Sequence, residues 1–215
     1  MRESVLADIE RLVVGPLASN CYIFRSGHEL AVIDPGGDAE RILEKLREPG
    51  GKVRYVINTH GHIDHVAADQ DIIVATGAEL LIHQDDAVML EEPDNNLSGL
   101  IGLSMEPISP SRRLADGDKI IVGHDVMKVL HTPGHTPGGV CLIGNGFAFT
   151  GDTLFLESIG RTDLPASSEQ QMRASLDRLR AVLSKKTVIY PGHGESGLFS
   201  RALLVNPFLG DVWPA

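Results

Sequence analysis

Cysteine is scarce: Cys21 and Cys141 are the only two, each in an apolar stretch, and no Cys-x-x-Cys pair exists. That argues against a disulfide framework, and two buried thiols in a reducing compartment are expected instead. No apolar run approaches the roughly 20 residues that span a bilayer. The start, Met1-Arg2-Glu3-Ser4, lacks the apolar core of a signal peptide. A soluble cytoplasmic protein is therefore expected. Basic residues are outnumbered, 19 Lys and Arg against 29 Asp and Glu, for a formal charge of -10. A general nucleic-acid binder needs a basic face for phosphates, so that class is set aside. Linkers, low-complexity tracts and repeats are also missing. What remains, 42% hydrophobic and 22% charged residues, suits one globular domain over 1–215.

Against that background one stretch is dense in ligand-type side chains: Asn58-Thr59-His60-Gly61-His62-Ile63-Asp64-His65. It follows an apolar run, 53–57, that reads as a buried strand. In an extended segment side chains repeat every second residue, so His60, His62 and Asp64 share one side. A helix would send His60 and His62 in widely different directions, so the spacing favours a strand running into a loop. His65 breaks the alternation and reads as the start of a helix over 66–76, ended by Gly77. One peptide can then supply ligands to two neighbouring metals. A polar surface loop explains a lone histidine far better than it explains three histidines and an aspartate within six positions.

Short β-like runs at 9–14, 20–25 and 30–33 are punctuated by Gly15-Pro16 and Ser26-Gly27. Asp34-Pro35-Gly36-Gly37 reads as a loop before a helix over 39–48. Asp38 would cap it, Ile42, Leu43 and Leu46 form its apolar stripe, and Pro49-Gly50-Gly51 stops it. Residues 79–82 read as a strand and 84–90 as a short helix. The least regular stretch is 91–118, with Leu97, Leu100, Ile101, Leu103 and Met105 in no clear period. Two readings stay open for it: a mobile flap over a site, or packing against the body or a partner subunit. A hairpin is expected at 119–122 and 126–130, then strands at 140–143 and 147–150 joined by Gly144-Asn145-Gly146. Ser167-Ser168-Glu169-Gln170 has capping-box spacing before a helix to about Leu183. A last strand covers 187–190. Helices alternate with strands in both halves around a β-rich middle. Two packed sheets with outer helices fit this better than one parallel sheet.

Three more ligand-type residues sit at strand ends beside glycine. They are His135 in Thr132-Pro133-Gly134-His135-Thr136, Asp152 in Thr150-Gly151-Asp152-Thr153-Leu154-Phe155, and His193 in Pro191-Gly192-His193-Gly194. Glycine lets the backbone approach a ligand closely. With the histidine stretch, the series resembles the metallo-β-lactamase superfamily over nearly the whole chain. Within it, these segments, Gly160-Arg161-Thr162-Asp163 and Asn206-Pro207-Phe208 are similar to glyoxalase II, the hydroxyacylglutathione hydrolases, in their short bacterial form. The resemblance implies a four-layer αβ/βα sandwich, two mixed β-sheets flanked by helices, with a two-metal site along one edge. It implies that His60, His62 and His135 bind one divalent ion, that Asp64, His65 and His193 bind a second, and that Asp152 bridges both. Imidazole and carboxylate suit zinc first, with iron and manganese as alternatives, and no ligand need be a thiolate. Asp34, at a strand end, is either a partner that orients a ligand or a helix-entry turn residue. His28, His83 and His124 lack partner motifs and read as surface or turn histidines. His131 reads as a strand-end hydrogen-bonder, Tyr190 as packing, and Phe208 and Trp213 as anchors for the tail.

The resemblance implies a metallohydrolase acting on thioesters, with an S-(2-hydroxyacyl)glutathione such as lactoylglutathione as substrate. Asp64 and Asp152 would be its catalytic carboxylates, and the metal pair would make water a nucleophile near neutral pH. A thiol, with a pKa near about 8.5, can leave as thiolate without a dedicated acid. Full-length glyoxalase II carries a C-terminal helical domain whose basic residues grip the glutathione carboxylates, and only 22 residues follow His193 here. Arg161 is the substrate-binding candidate; it either pairs with a substrate carboxylate or forms an internal ion pair with Asp163. Persulfide dioxygenases of the same superfamily also carry the segment type of Gly160-Arg161-Thr162-Asp163, and would use one iron at His60, His135 and Asp152. The complete second ligand set favours a hydrolase over that alternative. A metal-binding module without catalysis is the third class. Metallo-β-lactamases proper usually carry cysteine in the second site or lack the Asp64 type of ligand. Here Asp64 is present and Cys141 stands apart, so antibiotic hydrolysis is not expected. The expected partner is a small-molecule, glutathione-derived thioester, with no nucleic acid and no membrane, acted on by a monomer or homodimer.

Overall fold

Period-two alternation in the strands sorts their side chains onto two faces, and that sorting builds the layers. In Ser19–Ser26, Cys21 and Ile23 point to one core while Tyr22 and Phe24 point to another. Glu29–Ile33 repeats the pattern, with Leu30 and Val32 on the first side and Ala31 and Ile33 on the second. The computed structural model describes residues 8–47, 51–210 and 213. The stop expected at Pro49-Gly50 and the start, Met1 to Ser4, lie outside the described residues.

The first sheet takes its strands in chain order: β1 (Asp8–Val14), β2 (Ser19–Ser26), β3 (Glu29–Ile33), β4 (Lys52–Ile57), β5 (Glu79–His83) and β6 (Arg112–Leu114). β1, β2 and β3 pair antiparallel, and β3 to β6 pair parallel. Helices α1 (Ala39–Leu46), α2 (Ile63–Val66), α3 (Asp69–Thr76), α4 (Ala87–Glu91) and α5 (Ser98–Ile101) lie along this half of the chain. The second sheet holds β7 (Lys119–Val122), β8 (Asp125–His131), β9 (Val140–Ile143), β10 (Phe147–Gly151), β11 (Val188–Pro191) and β12 (Gly197–Leu198), ordered β12-β11-β10-β9-β8-β7. Only β10 and β11 pair parallel in it. Helices α6 (Glu169–Val182) and α7 (Phe199–Val205) cover its outer face.

Three cores separate four layers. Ile42, Ile63, Val66 and Ile72 of the helices pack on the outer face of the first sheet. Tyr22, Phe24, Ile57, Met127, Phe147 and Phe149 fill the space between the sheets. Met172, Leu176, Leu179 and Phe199 pack on the second sheet, joined by Phe208 and Trp213 near the end of the chain. This is the expected four-layer sandwich of two mixed sheets flanked by helices. Cys21 and Cys141 are buried free thiols in different cores, on opposite sides of the molecule. No described helix is long and apolar enough to cross a membrane.

Local expectations needed four corrections. Asp38 precedes α1 in a left-handed conformation and does not cap it; its carboxylate accepts from the Gly15 N–H at 3.2 Å, tying down the β1–β2 turn. The helix expected over 66–76 is two short ones, α2 and α3, broken at Ala67 and Ala68, though Gly77 does end α3 left-handed. The cap of α6 is Ser168, whose hydroxyl accepts from the Gln171 N–H, one residue later than the spacing suggested. The helix expected over 84–90 forms only from Ala87, leaving 84–86 as a turn.

Candidate metal centre

Loops at the ends of β4, β8, β10 and β11 meet along one edge of the sandwich. The structure brings His60, His62 and His135 together, one ligand atom of each within 4.8 Å of the others, and does the same for Asp64, His65 and His193. Asp152 lies between the two groups. Its Oδ1 is 3.5 Å from His65 Nε2, and its Oδ2 is 3.5 Å from His135 Nε2 and 3.7 Å from His193 Nε2. All seven candidates thus converge. Glycine makes room for them: a Cβ on Gly192 would run into Asp152 Oδ1 and the His65 ring.

Outer hydrogen bonds fix which nitrogen each ring turns inward. His135 Nδ1–H donates to the Arg161 carbonyl at 2.8 Å, which leaves Nε2 as the lone pair. His60 Nδ1 faces Thr59 Oγ1 at 3.2 Å, and that hydroxyl donates to Asp34. His65 Nδ1–H donates to Asp34 Oδ2 at 3.1 Å, so Nε2 points at Asp64 and Asp152. Asp34 therefore fills both roles left open for it. It orients His65, and it makes the turn after β3 in a left-handed conformation, its own N–H donating to the Ile57 carbonyl.

Four buried polar atoms in this cluster have no hydrogen-bond partner: His60 Nε2, His62 Nε2, His65 Nε2 and Asp152 Oδ1. Such an atom costs about 1–3 kcal/mol, so a concentration of them at one point calls for a binding partner. His62 Nδ1 and His135 Nε2 lie 2.9 Å apart, close enough to share a proton or a cation. Burial, reinforced by the neighbouring imidazoles, pushes His60 and His62 down, His62 to about 3, so both present neutral lone pairs. Burial would also lower His65, but Asp64, Asp152 and Asp34 together raise it to about 10. Burial would raise Asp64, yet His65, His193 and the Ser19 hydroxyl hold it well below the usual carboxylate range. Neutral imidazoles and ionised carboxylates form a donor set for divalent zinc, iron or manganese, and a bound cation would displace the His65 proton. The residues present fit a metal pair.

Several supporting residues carried no sequence signal that was read. Asp86 is wholly buried and ties two ligand loops together: its carboxylate accepts from the Gly61 N–H, the Thr136 hydroxyl and the Gly138 N–H at 3.0, 2.7 and 2.6 Å. Asn20 and Tyr22 of β2 pin the His193 loop. The Asn20 amide donates to the Pro191 and Gly194 carbonyls, and the Tyr22 hydroxyl donates to Pro191 at 2.6 Å. Ser19 and Asn20 were visible as polar residues opening an apolar strand. Asp86 falls in the stretch 84–90 expected as a short helix, and nothing in its local pattern marks it. His28 and His124 are exposed turn residues as expected, whereas His83 is buried and stacks on His131 at 4.1 Å. His131 Nε2–H donates to the Pro137 carbonyl, the expected strand-end bond. Cys141 is buried in the core behind the site, its thiol raised to about 11 by burial, and takes no part in the cluster.

A cavity of about 380 Å³ opens over the cluster. Arg161 lines it, and the guanidinium is bonded to both oxygens of Asp163 at 2.8 Å, so the internal ion pair forms. Residues 91–118 lie both over the site and against the body. Leu97, Leu100 and Ile101 line the cavity, while Leu103, Met105 and Ile108 pack against the body.

Comparison with known proteins agrees with this fold. The chain is 31% identical over 209 residues to hydroxyacylglutathione hydrolase GloC of Haemophilus influenzae, covering 95% of this chain and 99% of that one. Among solved structures, BLEG-1 B3 metallo-beta-lactamase superposes with a TM-score of 0.85 at 30% identity, over 94% of this chain and 99% of that one. TTHA1623 in a di-iron-bound form gives 0.84 at 33% identity, over 93% and 100%. A family model described as the metallo-beta-lactamase superfamily matches residues 14–193. With the fold, the converging ligand-type residues and that match in agreement, the chain belongs to the metallo-beta-lactamase superfamily.

Proposed function

We propose that the protein is a two-metal hydrolase of thioesters, with S-(2-hydroxyacyl)glutathione, lactoylglutathione first, as the starting substrate. The observation that carries this reading is Asp152 standing between two complete ligand groups. His60, His62 and His135 would hold one ion and Asp64, His65 and His193 the other, with Asp152 touching both. Bound divalent ions would polarise the acyl carbonyl and lower the pKa of water toward neutrality. The relative named hydroxyacylglutathione hydrolase supports the substrate class, and the relative in a di-iron form supports the ligand count.

The chain's own residues do the positioning. Asp34, Thr59 and the Arg161 carbonyl hold the rings of His65, His60 and His135 in one tautomer each, so little is left to reorganise during reaction. Ser19 steadies Asp64 by donating to its Oδ2 at 2.8 Å. In the reaction water's oxygen bonds to the acyl carbon and the carbon–sulfur bond breaks. The acid keeps one water proton and the thiol takes the other, with Asp64 and Asp152 as the carboxylates nearest that proton. Cys141 lies outside the cluster, so nothing in the second group depends on a thiolate.

Purified protein reconstituted with zinc, iron or manganese should bind two ions per chain and cleave lactoylglutathione, measured by metal analysis beside thiol release on the same sample. Intact lactoylglutathione together with hydrolysis of a chromogenic cephalosporin would overturn the substrate reading in favour of a β-lactam. Oxygen uptake with glutathione persulfide and one iron per chain would overturn the hydrolase itself.

A further inference from the structure

The walls of the cavity are more apolar than a glutathione site requires. Leu97, Leu100 and Ile101 form one side, and Phe155, Ile159 and Leu164 face the same space. Among the described residues lining it, Arg161 is the sole Lys or Arg, and its fork is already closed on Asp163. Glutathione carries two carboxylates, for which this lining offers no second guanidinium or ammonium.

The first wall is built deliberately. Leu97 has φ 68°, a left-handed conformation that glycine or asparagine takes at far less cost. A leucine held there against its backbone preference points to a use for its side chain. Asn96 anchors the segment: its carbonyl accepts from the Ile63 N–H at 2.9 Å, and its side chain accepts from the Ser98 N–H at 3.0 Å. Ile63 lies between the ligand candidates His62 and Asp64, so the wall is tied directly to the ligand loop. Leu100, at the mouth, is 72% exposed, an apolar surface next to a site with no described residue upon it.

We propose that Leu97, Leu100 and Ile101 form a binding subsite for an apolar arm of the thioester, so that thioesters bearing an uncharged aliphatic or aryl group are cleaved in preference to the glutathione thioester taken as the starting substrate. This rests on the thioester reading of the metal cluster and narrows its substrate class. The arm can be borne on the acyl carbon or on the sulfur, and the test separates the two.

With metal-loaded protein, kcat/KM is measured for N-acetylcysteamine thioesters from acetyl through butyryl and hexanoyl to octanoyl, and for acetyl thioesters of alkanethiols of matching lengths. One of the two series should rise by about twofold to fourfold per methylene, the range for partial to full burial, mostly through KM, and overtake lactoylglutathione. Leu100→Ser and Leu97→Gly should flatten that rise. Leu97→Gly keeps the left-handed backbone without strain, so a misfolded protein does not confuse the result. Binding of the S-alkyl thioethers, which cannot be cleaved, is followed by calorimetry as a readout separate from turnover. Tightening with length but no cleavage of any thioester would end the hydrolase reading and keep the subsite. Flat series in both assays, or unchanged slopes in both variants, would overturn the subsite, and lactoylglutathione remaining the best substrate would overturn the narrowing.

Discussion

At the scale of single residues, Asp34 shows how one carboxylate sets a ligand's chemistry. Oδ1 accepts from the Thr59 N–H and Oδ2 from the Thr59 hydroxyl, both at 2.7 Å, and Oδ2 also takes the His65 Nδ1 proton. Asparagine tolerates the left-handed backbone at φ 53°, so Asp34→Asn should fold. Its amide would face His65 Nδ1–H with a donor, and the ring would lose the bond that fixes it. Metal affinity of the Asp64, His65 and His193 group should fall about 10–100-fold, as read by competition with a metal chelator. A smaller fall is expected at the His60, His62 and His135 group, because Thr59, which faces His60, bonds to the same carboxylate. Asp69 is a second buried carboxylate with a different part. Oδ1 accepts from Asn58 at 3.1 Å, Oδ2 is buried without a partner, and burial pushes the carboxyl well above its ordinary value. The folded state therefore holds a proton that the unfolded chain releases near pH 4, so Asp69 weakens stability as pH rises from there through its folded pKa. Asp69→Asn removes that penalty. The variant should be about 1–3 kcal/mol more stable at pH 7.5, and the gain should shrink toward pH 4.5, in urea unfolding of both proteins at the two pH values.

At the scale of elements, Asp86 fastens two loops that no strand pairing joins. Its three buried acceptor contacts hold Gly61, between two candidate histidine ligands, to Thr136 and Gly138, just after a third candidate. Asp86→Ala strands at least two buried N–H groups, and a loss of about 3 kcal/mol or more in urea unfolding is expected. Asp86→Asn, which keeps one acceptor, should fall between the two. Metal binding should weaken first at His60, His62 and His135. The difference between this residue and the ligands explains what was legible in the sequence. His60, His62, Asp64 and His65 announce themselves because four ligand-type residues fall within six positions after a β-run, and His135, Asp152 and His193 because each follows a β-run and a glycine. The shared side expected of His60, His62 and Asp64 does not form, since Asp64 lies in α2 and groups with His65 and His193. Strands such as β2 were legible as a short apolar run, Cys21 to Phe24, bounded by polar residues. Asp86 acts through contacts 25 to 52 residues away, and nothing in a local pattern encodes them. β6, three residues long, and α7, after a two-residue strand, are stabilised by what they pack on and not by their own period. For Arg161 the sequence offers both a substrate carboxylate and Asp163 as the partner, and the bidentate bond to Asp163 shows that the internal pair forms.

At the scale of the whole molecule, the candidate metal ligands lie where the two sheets end. His60, His62, Asp64 and His65 leave β4 of the first sheet, whereas His135, Asp152 and His193 follow β8, β10 and β11 of the second. Bound ions would therefore join the sheets at one edge, while the aromatic core of Tyr22, Phe24, Phe147 and Phe149 joins them through the middle without metal. Removing metal should cost stability without unfolding the protein. Ligand at a hundredfold excess over its Kd contributes about 2.7 kcal/mol, which for a chain of this size corresponds to a Tm drop of about 5–10 °C on chelation. Hydrogen exchange should rise in the loops after β4, β8, β10 and β11 and stay slow in the strands themselves. An equal rise across both sheets would mean that the ions hold the fold and not only the edge. No change in Tm after metal is shown to be gone would mean that hydrogen bonds from Asp34, Asp86, Asn20 and Tyr22 already hold the site closed. In that case His60 Nε2 and His62 Nε2 must find water when the cation leaves, while His65 Nε2, once reprotonated, can turn to Asp152 Oδ1 at 3.5 Å.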